Sequence, residues 1–472
     1  MYSKRYLFLD DKYISRKENV IRTFHPWEKE AGNPVIQKEY EWEGIGPYGF
    51  RPTGKTGPVT AVYYTFGSKG DDYLCGLATS YDGINWKKER HQLDIIDDGE
   101  ECGQGFYDRP GTYEGYPYLG TSFMRCSDAV PYAHHVIRRS KNGVHWEKFP
   151  GEPYWIGSED TYTFLYDTRI NKYVLYGKLT KVEGETTKGE HFLAYTCNAR
   201  KKICGDIIRI SGMQILPERK EIDVALKCGG SLIKDDGGGG IVDDRVKLLR
   251  VVARSESKDF IHWTNQQVVM EPPADAPPGY QYYGMDVQEY AGMYIGHVQL
   301  FTALDGHVNI QMVWSDDGID FSVNRNSFAV ACGETGWDKG GIYSANFMEL
   351  DDGRLCLYYS AINTDHMETD VNRMSAATGR AWLRQDGFAS LSGGTIKTVP
   401  LKVVQAKLHI NMKGVIHITV KDSDGKNIGM AQLRGDYHRM IPEIDLTDYI
   451  GKMVTIDMDL NGGGSVFGYD IT

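Results

Sequence analysis

The sequence lacks any apolar run near the ~18 residues that a membrane-crossing helix needs. Its beginning, Met1-Tyr2-Ser3-Lys4-Arg5, leads into only Leu7-Phe8-Leu9 before Asp10-Asp11. A secretory leader needs roughly 7–15 apolar residues, so a cytoplasmic location is expected. Cysteine is scarce: eight in 472 residues, at 75, 102, 126, 197, 204, 228, 332 and 356, with no CxxC pair. That sparse spacing predicts reduced thiols, no disulfide scaffold and no structural zinc; neither metal nor cofactor is expected. Basic charge is in deficit, with 53 Lys and Arg against 64 Asp and Glu and a net charge of −11. An acidic chain is a poor partner for nucleic acid or an anionic membrane surface. No sustained helical period interrupts the pattern either.

What the chain has in quantity is Tyr (31), Trp (9) and Gly (54), which suits short strands, tight turns and aromatic stacking. One motif recurs: Ser80-Tyr-Asp-Gly83-Ile-Asn-Trp86, Ser140-Lys-Asn-Gly143-Val-His-Trp146, Ser257-Lys-Asp-Phe260-Ile-His-Trp263 and Ser315-Asp-Asp-Gly318-Ile-Asp-Phe321. Each copy is a strand end, a tight turn and a returning strand with an inward aromatic, so each marks the outer hairpin of a small antiparallel sheet. Such sheets repeated along a chain predict a β-propeller, since none can bury both faces alone. Blade starts near residues 45, 105, 160, 284 and 341 give five blades. The interval from Ser140 to Ser257 is about twice the others, and an insertion at about 180–250 accounts for it. After residue 380 the alternating segments lose the Trp turn, which predicts a β-sandwich over 381–472. The expected fold is therefore all-β: a five-bladed β-propeller over 1–380 followed by a C-terminal β-sandwich.

In a propeller the first strands of all blades begin around one axis, so residues distant in sequence become neighbours there. Acidic residues fall at those starts: Glu43, Asp108, Asp160, Asp286 and Asp338. Cleavage of a glycosidic bond needs a proton donor and a second carboxylate, which makes such a ring a candidate active site. Asp160, Glu43 and Asp108 are the catalytic candidates. Asp286, Asp338, Trp337, Arg109 and His135 are substrate-binding candidates. An Asp before Gly or Thr also serves as a turn cap, and Trp or His also serves as core; both alternatives stand beside the functional one.

Several segments resemble bacterial proteins related to glycoside hydrolase families 32 and 43: Asn33-Pro34-Val35, Trp42-Glu43, the Ser80–Trp86 turn, Asp160-Thr161, Tyr173-Val-Leu-Tyr176, the Ser257–Trp263 turn, Gly336-Trp337-Asp338 and Arg384-Gln-Asp-Gly-Phe388. That resemblance implies a five-bladed propeller and, for family 32, a C-terminal sandwich. It does not carry the fructosidase motifs. Of the nucleophile motif only Asn33-Pro34 remains, and Asp108-Arg109-Pro110 holds the Arg-Asp-Pro residues in another order. Glu101-Cys102 matches the acid motif literally, but before blade two and not at blade three.

The combined expectation is a glycoside hydrolase acting on a small oligosaccharide or glycoside, a furanoside among the candidates. Asp160 or Glu43 would act as general acid with a raised pKa, and Asp108 as base or nucleophile. The alternatives are a non-catalytic carbohydrate-binding propeller, or a glycoside phosphorylase or lyase on the same scaffold. A carbohydrate is the expected partner, with self-association through the sandwich or the insertion as a further expectation.

Overall fold

The computed structural model describes residues 4–53, 59–67, 73–96, 101–113, 115–124, 134–155, 160–182, 191–198, 203–211, 232–234, 241–243, 246–264 and 266–471; for 101–113, and for the described residues from 180 to 248, the backbone alone is described. Strands dominate, and the only helical elements among the described residues are single 3-10 turns such as Glu41–Glu43 and Val371–Arg373. No helix among them is long and apolar enough to cross a membrane.

Five four-stranded antiparallel meanders follow one another. Meander I is Tyr48–Thr53, Val59–Phe66, Tyr73–Ser80 and Lys87–Lys88; meander II is Glu101–Tyr113, Tyr116–Met124, His134–Ser140 and Trp146–Lys148. Meander III is Tyr162–Asp167, Lys172–Val182, Val246–Ser257 and Gln267–Met270. Meander IV is Tyr280–Tyr290, Met293–Thr302, His307–Ser315 and Ser322–Val323. Meander V takes Gly341–Glu349, Leu355–Ile362 and Ala376–Leu383 from one stretch, and its fourth strand, Glu28–Lys29, from near the N-terminus. The first strands touch in order I–II–III–IV–V, and V returns to I. That closed cycle is a propeller, and the N-terminal strand in meander V is the clasp that closes it. Glu30 locks the clasp: its carboxylate takes Arg380 Nε at 2.6 Å and Nη2 at 2.9 Å, and Trp382 Nε1 at 2.9 Å.

The recurring motif forms the link between third and fourth strands. Ser80 Oγ accepts the Gly83 N–H at 2.9 Å, and Asp82 Oδ1 accepts those of Ile84 and Asn85, both at 2.8 Å. Asn142, Asp259 and Asp317 make the same pair of bonds in meanders II, III and IV. The fourth motif position is left-handed in every copy, with φ 70° at Gly83, 77° at Gly143, 73° at Gly318 and 65° at Phe260. Phe260 accepts a conformation that favours Gly, and its ring is fully buried against Trp263 and Tyr173.

The long motif interval is an excursion between the second and third strands of meander III. Those strands pair continuously from Tyr173↔Ser257 to Val182↔Leu248, and the backbone strands His191–Asn198, Ile203–Ser211 and Leu232–Lys234 form a separate sheet.

The second domain starts differently from the expectation of 381–472. Tyr6–Leu7, Ile14–Glu18 and Ile21–Phe24 pair with Ser465–Ile471, Thr395–Thr398 and Ala389–Ser392, so N-terminal residues placed with the propeller belong to the sandwich sheet. The physical reason is the clasp: a chain that enters meander V from outside must first cross the neighbouring domain. Leu408–Asp422 folds this sheet over itself, pairing with Ser465–Ile471 through its first half and with Met453–Asp459 through its second. At the bend Gly414 has φ 89°, and a Cβ there would lie 2.5 Å from the Gly463 carbonyl oxygen. Ile410, Met412, Ile418, Val420, Ile456 and Val466 fill the space between the layers.

Candidate functional site

In an up-and-down meander, the start of the first strand and the link from second to third strand lie at the same end. At that end of meanders III, IV and V a polar cluster assembles. Asp160 stands two residues before the first strand of meander III, beside the second strand, where Lys178 donates its backbone N–H to the Thr161 carbonyl at 2.7 Å. The Lys178 ammonium forms an ion pair with Asp160 Oδ1; the Asp160 side chain is 26% exposed and that of Lys178 6%. Lys178 Nζ also lies 4.4 Å from the centre of the Tyr283 ring.

Arg250, on the third strand, pairs across from Thr180. Side chains alternate between sheet faces, so Arg250 and Lys178 share one face as diagonal neighbours. The Arg250 guanidinium lies 5.3 Å from the Tyr283 ring and 5.2 Å from Phe301, and Nη1 donates to Gln281 Oε1 at 3.0 Å. His366, on the link between second and third strands of meander V, packs 4.8 Å from Tyr283 and 5.0 Å from Phe301. Its Nδ1 lies 2.9 Å from the Tyr343 hydroxyl. Burial, then the Arg250 and Lys178 charges, push the imidazole down to about 4, so it is neutral near pH 7. On the same link a cavity of about 420 Å³ opens, lined by His307, Glu334, Lys339, Asn363, Asp365 and Glu368.

The other acidic positions are not equivalent to Asp160. Glu43 is fully buried in its 3-10 turn. Its Oε1 accepts from Tyr63 Oη at 2.8 Å and Lys88 Nζ at 2.7 Å; Oε2 accepts the N–H groups of Glu39 at 2.6 Å and Tyr40 at 2.9 Å. Burial raises its pKa, but Lys88 and these donors outweigh it and the net shift is downward. A general acid needs the opposite shift, so the raised pKa expected of Glu43 is corrected: its donors stabilise the charged form.

Asp286 lies inside the ring, 2% exposed. Its Oδ1 takes Arg51 Nε at 3.0 Å and its Oδ2 the Ala345 N–H at 2.9 Å, which joins the first strands of meanders I, IV and V. Asp338 pairs with Lys29 Nζ at 2.6 Å, beside Tyr359 Oη at 3.3 Å. The half-buried Trp337 ring stacks on Tyr359 at 5.5 Å. His135 is fully buried, packed against Tyr162 at 4.4 Å and Trp155 at 5.1 Å, which gives it a packing place in the core and not a surface for substrate. Asp108 and Arg109 lie within the first strand of meander II, and their side chains fall outside the described residues. Glu101 and Cys102 fall on the same strand.

Sequence reasoning reached Asp160 but missed Lys178, Arg250, Tyr283, Tyr343 and His366. The one available signal was the pair Lys178 and Arg250, cations that stand close in sequence to core residues such as Val174, Leu175, Val251 and Val252. Among the described residues no group of three or more His, Cys, Asp and Glu is placed to hold a metal ion.

No family model matches the sequence, and no curated protein does. Among solved structures, the chain is similar to a family-32 β-fructofuranosidase from Bombyx mori, with 11% identity, coverage of 95% of this chain and 94% of the other, and a TM-score of 0.42. It is similar to a thermostable family-43 glycoside hydrolase at 10% identity, covering 74% and 91%, with a TM-score of 0.45. A third is an N-acetylgalactosamine deacetylase from F. plautii at 13% identity, covering 78% and 96%, with a TM-score of 0.46.

Proposed function

We propose that the protein is a carbohydrate-active enzyme that hydrolyses a glycosidic bond, with the reacting sugar at Asp160. The observation that carries this reading is a partly exposed carboxylate at the start of a first strand, paired with Lys178, whose ammonium lies over the Tyr283 ring, with Arg250 and Tyr343 packed against that same ring. A sugar needs this mixture: an apolar ring face against an aromatic, and polar groups to orient its hydroxyls.

The ammonium of Lys178 against Asp160 favours a carboxylate that works in its ionised form, as base, nucleophile or stabiliser of the developing oxocarbenium charge. The proton donor then falls to Asp108, whose strand Glu101–Tyr113 runs beside Tyr162–Asp167. Glu43, Asp286 and Asp338 hold the ring and its clasp together, with their oxygens engaged by Lys88, Arg51 and Lys29. A protein that binds sugars without cleaving them is the competing outcome.

The test is a screen of nitrophenyl glycosides and fructans with purified protein and the Asp160→Asn variant. Turnover of at least one substrate, lowered about a hundredfold or more by the substitution, is expected. Sugar binding without turnover across the panel would leave a binding propeller instead.

A further inference from the structure

The outermost strands of the five meanders are short, with 2, 3, 4, 2 and 2 residues, whereas Asn427–Met440, at the edge of the sandwich sheet, has 14. It pairs on one side with Leu408–Asp422, and no strand among the described residues pairs with its other side. From Asn427 to His438 its backbone forms no bond to another backbone segment outside that ladder among the described residues. Arg384 Nη2, at 3.3 Å from the Tyr437 carbonyl oxygen, is the one side chain among them that reaches it. Ile444 covers Gly429, where a Cβ would lie 2.5 Å from its Cγ2, on the face that Ala431 and the buried Leu433 share. Met430, Gln432, Arg434, Asp436 and Tyr437 are all exposed. An edge of this length is a template for a further strand unless it is shortened, covered or charged against one.

We propose that this edge pairs, antiparallel, with the same edge of a second copy of the chain about a two-fold axis at Gly435. In such a dimer, residues equidistant from the axis lie opposite each other. Two features select Gly435. The sheet bends at Gly414, and Gly435 pairs directly across from it with φ 138°, so the edge strand bends there too. An axis at the bend sets bend against bend; any other sets a bent stretch of one copy against a straight stretch of the other. The same axis sets Arg434 opposite Asp436 of the second copy, twice by symmetry. An axis at either neighbouring residue would set Arg434 or Asp436 against itself. Arg434 forms no ion pair or hydrogen bond among the described residues. Asp436 lies 2.7 Å from Arg384 and 3.6 Å from Lys413 with half of its side chain exposed, and a carboxylate accepts from more than two donors. Beyond Tyr437 the strand carries a bulge, so the one-to-one opposition is strictest near the axis, where the charged residues stand. The proposal concerns the second domain and is independent of any reaction at Asp160.

Analytical ultracentrifugation of the full chain across a concentration series, with hydrogen exchange at its two ends, reads the dimer and its location. A species of twice the chain mass is expected, with amides of Asn427–Met440 becoming protected as concentration rises and no comparable change in the meanders. Arg434→Asp is expected to weaken the dimer about tenfold or more, because both symmetric contacts change from opposite to like charge. Asp436→Arg is expected to do the same with the opposite sign. The two variants mixed in equal amounts are expected to dimerise again, since in the mixed pair both contacts regain opposite charges.

A wild-type chain that stays monomeric throughout the series overturns the proposal, as does a dimer whose exchange protection falls outside Asn427–Met440. So does a dimer that survives Arg434→Asp unweakened, or a mixture of the two folded variants that stays monomeric. Asp436→Arg gives up the bond to Arg384; should it fail to fold, Arg434→Asp and the exchange pattern decide the matter by themselves, because Arg434 has no ion pair to lose among the described residues. Glycoside turnover, or its absence, leaves each of these outcomes unchanged.

Discussion

Two lysine–carboxylate pairs, on opposite sides of the ring, are built from the same parts. At meander I, Lys88 meets Glu43 with its Nζ 5.8 Å from the Tyr63 ring; at meander III, Lys178 meets Asp160 with its Nζ 4.4 Å from Tyr283. Glu43 is sealed, and both its oxygens are occupied by protein donors. Asp160 keeps about a quarter of its side chain open. A carboxylate whose lone pairs are filled by its own fold holds elements together, because breaking those bonds leaves buried donors and charge unmatched. A carboxylate that stays partly exposed, as Asp160 does, is within reach of a substrate. Position at a blade start is common to both pairs and distinguishes neither.

The sharpest way to break this comparison is to neutralise each acid in turn. Asp160→Asn is expected to lower glycoside turnover by about a hundredfold or more, with a smaller loss of stability than Glu43→Gln causes. Glu43→Gln is expected to do the reverse. Removing one partner of a buried pair costs about 3–5 kcal/mol, which chemical denaturation would read, while the folded fraction keeps its specific activity. Equal effects of the two substitutions on activity would place both acids in the chemistry and dissolve the distinction.

Asp286 and Asp338 extend the series between these extremes. Asp286→Asn weakens the bond to Arg51 and is expected to destabilise the protein by about 1–3 kcal/mol, because the guanidinium remains buried. Asp338→Asn is expected to cost about 1 kcal/mol or less, since its partner Lys29 is 31% exposed and can return to water. Urea titrations of the two variants should therefore rank Asp286 above Asp338; the opposite order would mean that the N-terminal clasp, not the ring interior, limits stability.

The sequence made the repeating unit legible because its turn is local: Ser80, Asp82 and Gly83 find their partners within five residues. The same locality placed the starts at 45, 105, 160, 284 and 341 within four residues of Tyr48, Glu101, Tyr162, Tyr280 and Gly341. What stayed hidden depends on distant partners. Glu28–Lys29 pairs with a strand some 350 residues away, and no periodicity within the segment announces that. Likewise, nothing near Asp286 in the sequence reveals Arg51, and nothing near Glu43 reveals Lys88. A list of acids at blade starts was readable; which of them the fold had already used was not.

Acid titration offers a separate test of the same contrast. His366 has its pKa depressed from 6.5 to about 4, so between those values the unfolded chain binds a proton that the folded chain refuses. Stability from this group is complete above pH 6.5 and is lost as pH falls toward 4. His297, buried inside the ring and also lowered to about 4, acts over the same window. Glu43, with its pKa depressed below 4.5, favours the folded state above that value and releases its contribution only in stronger acid. Thermal unfolding followed from pH 7 downward should thus weaken first through the histidines and later through Glu43. In His366→Gln the slope between pH 6.5 and 4 should become shallower without vanishing, because His297 remains. Glu43→Gln should leave that slope intact and flatten the loss below pH 4.5. An unchanged slope in His366→Gln would mean that the imidazole is as well hydrated as in the unfolded chain, and that the open end of meander V is wetter than its packing against Tyr283 and Phe301 requires.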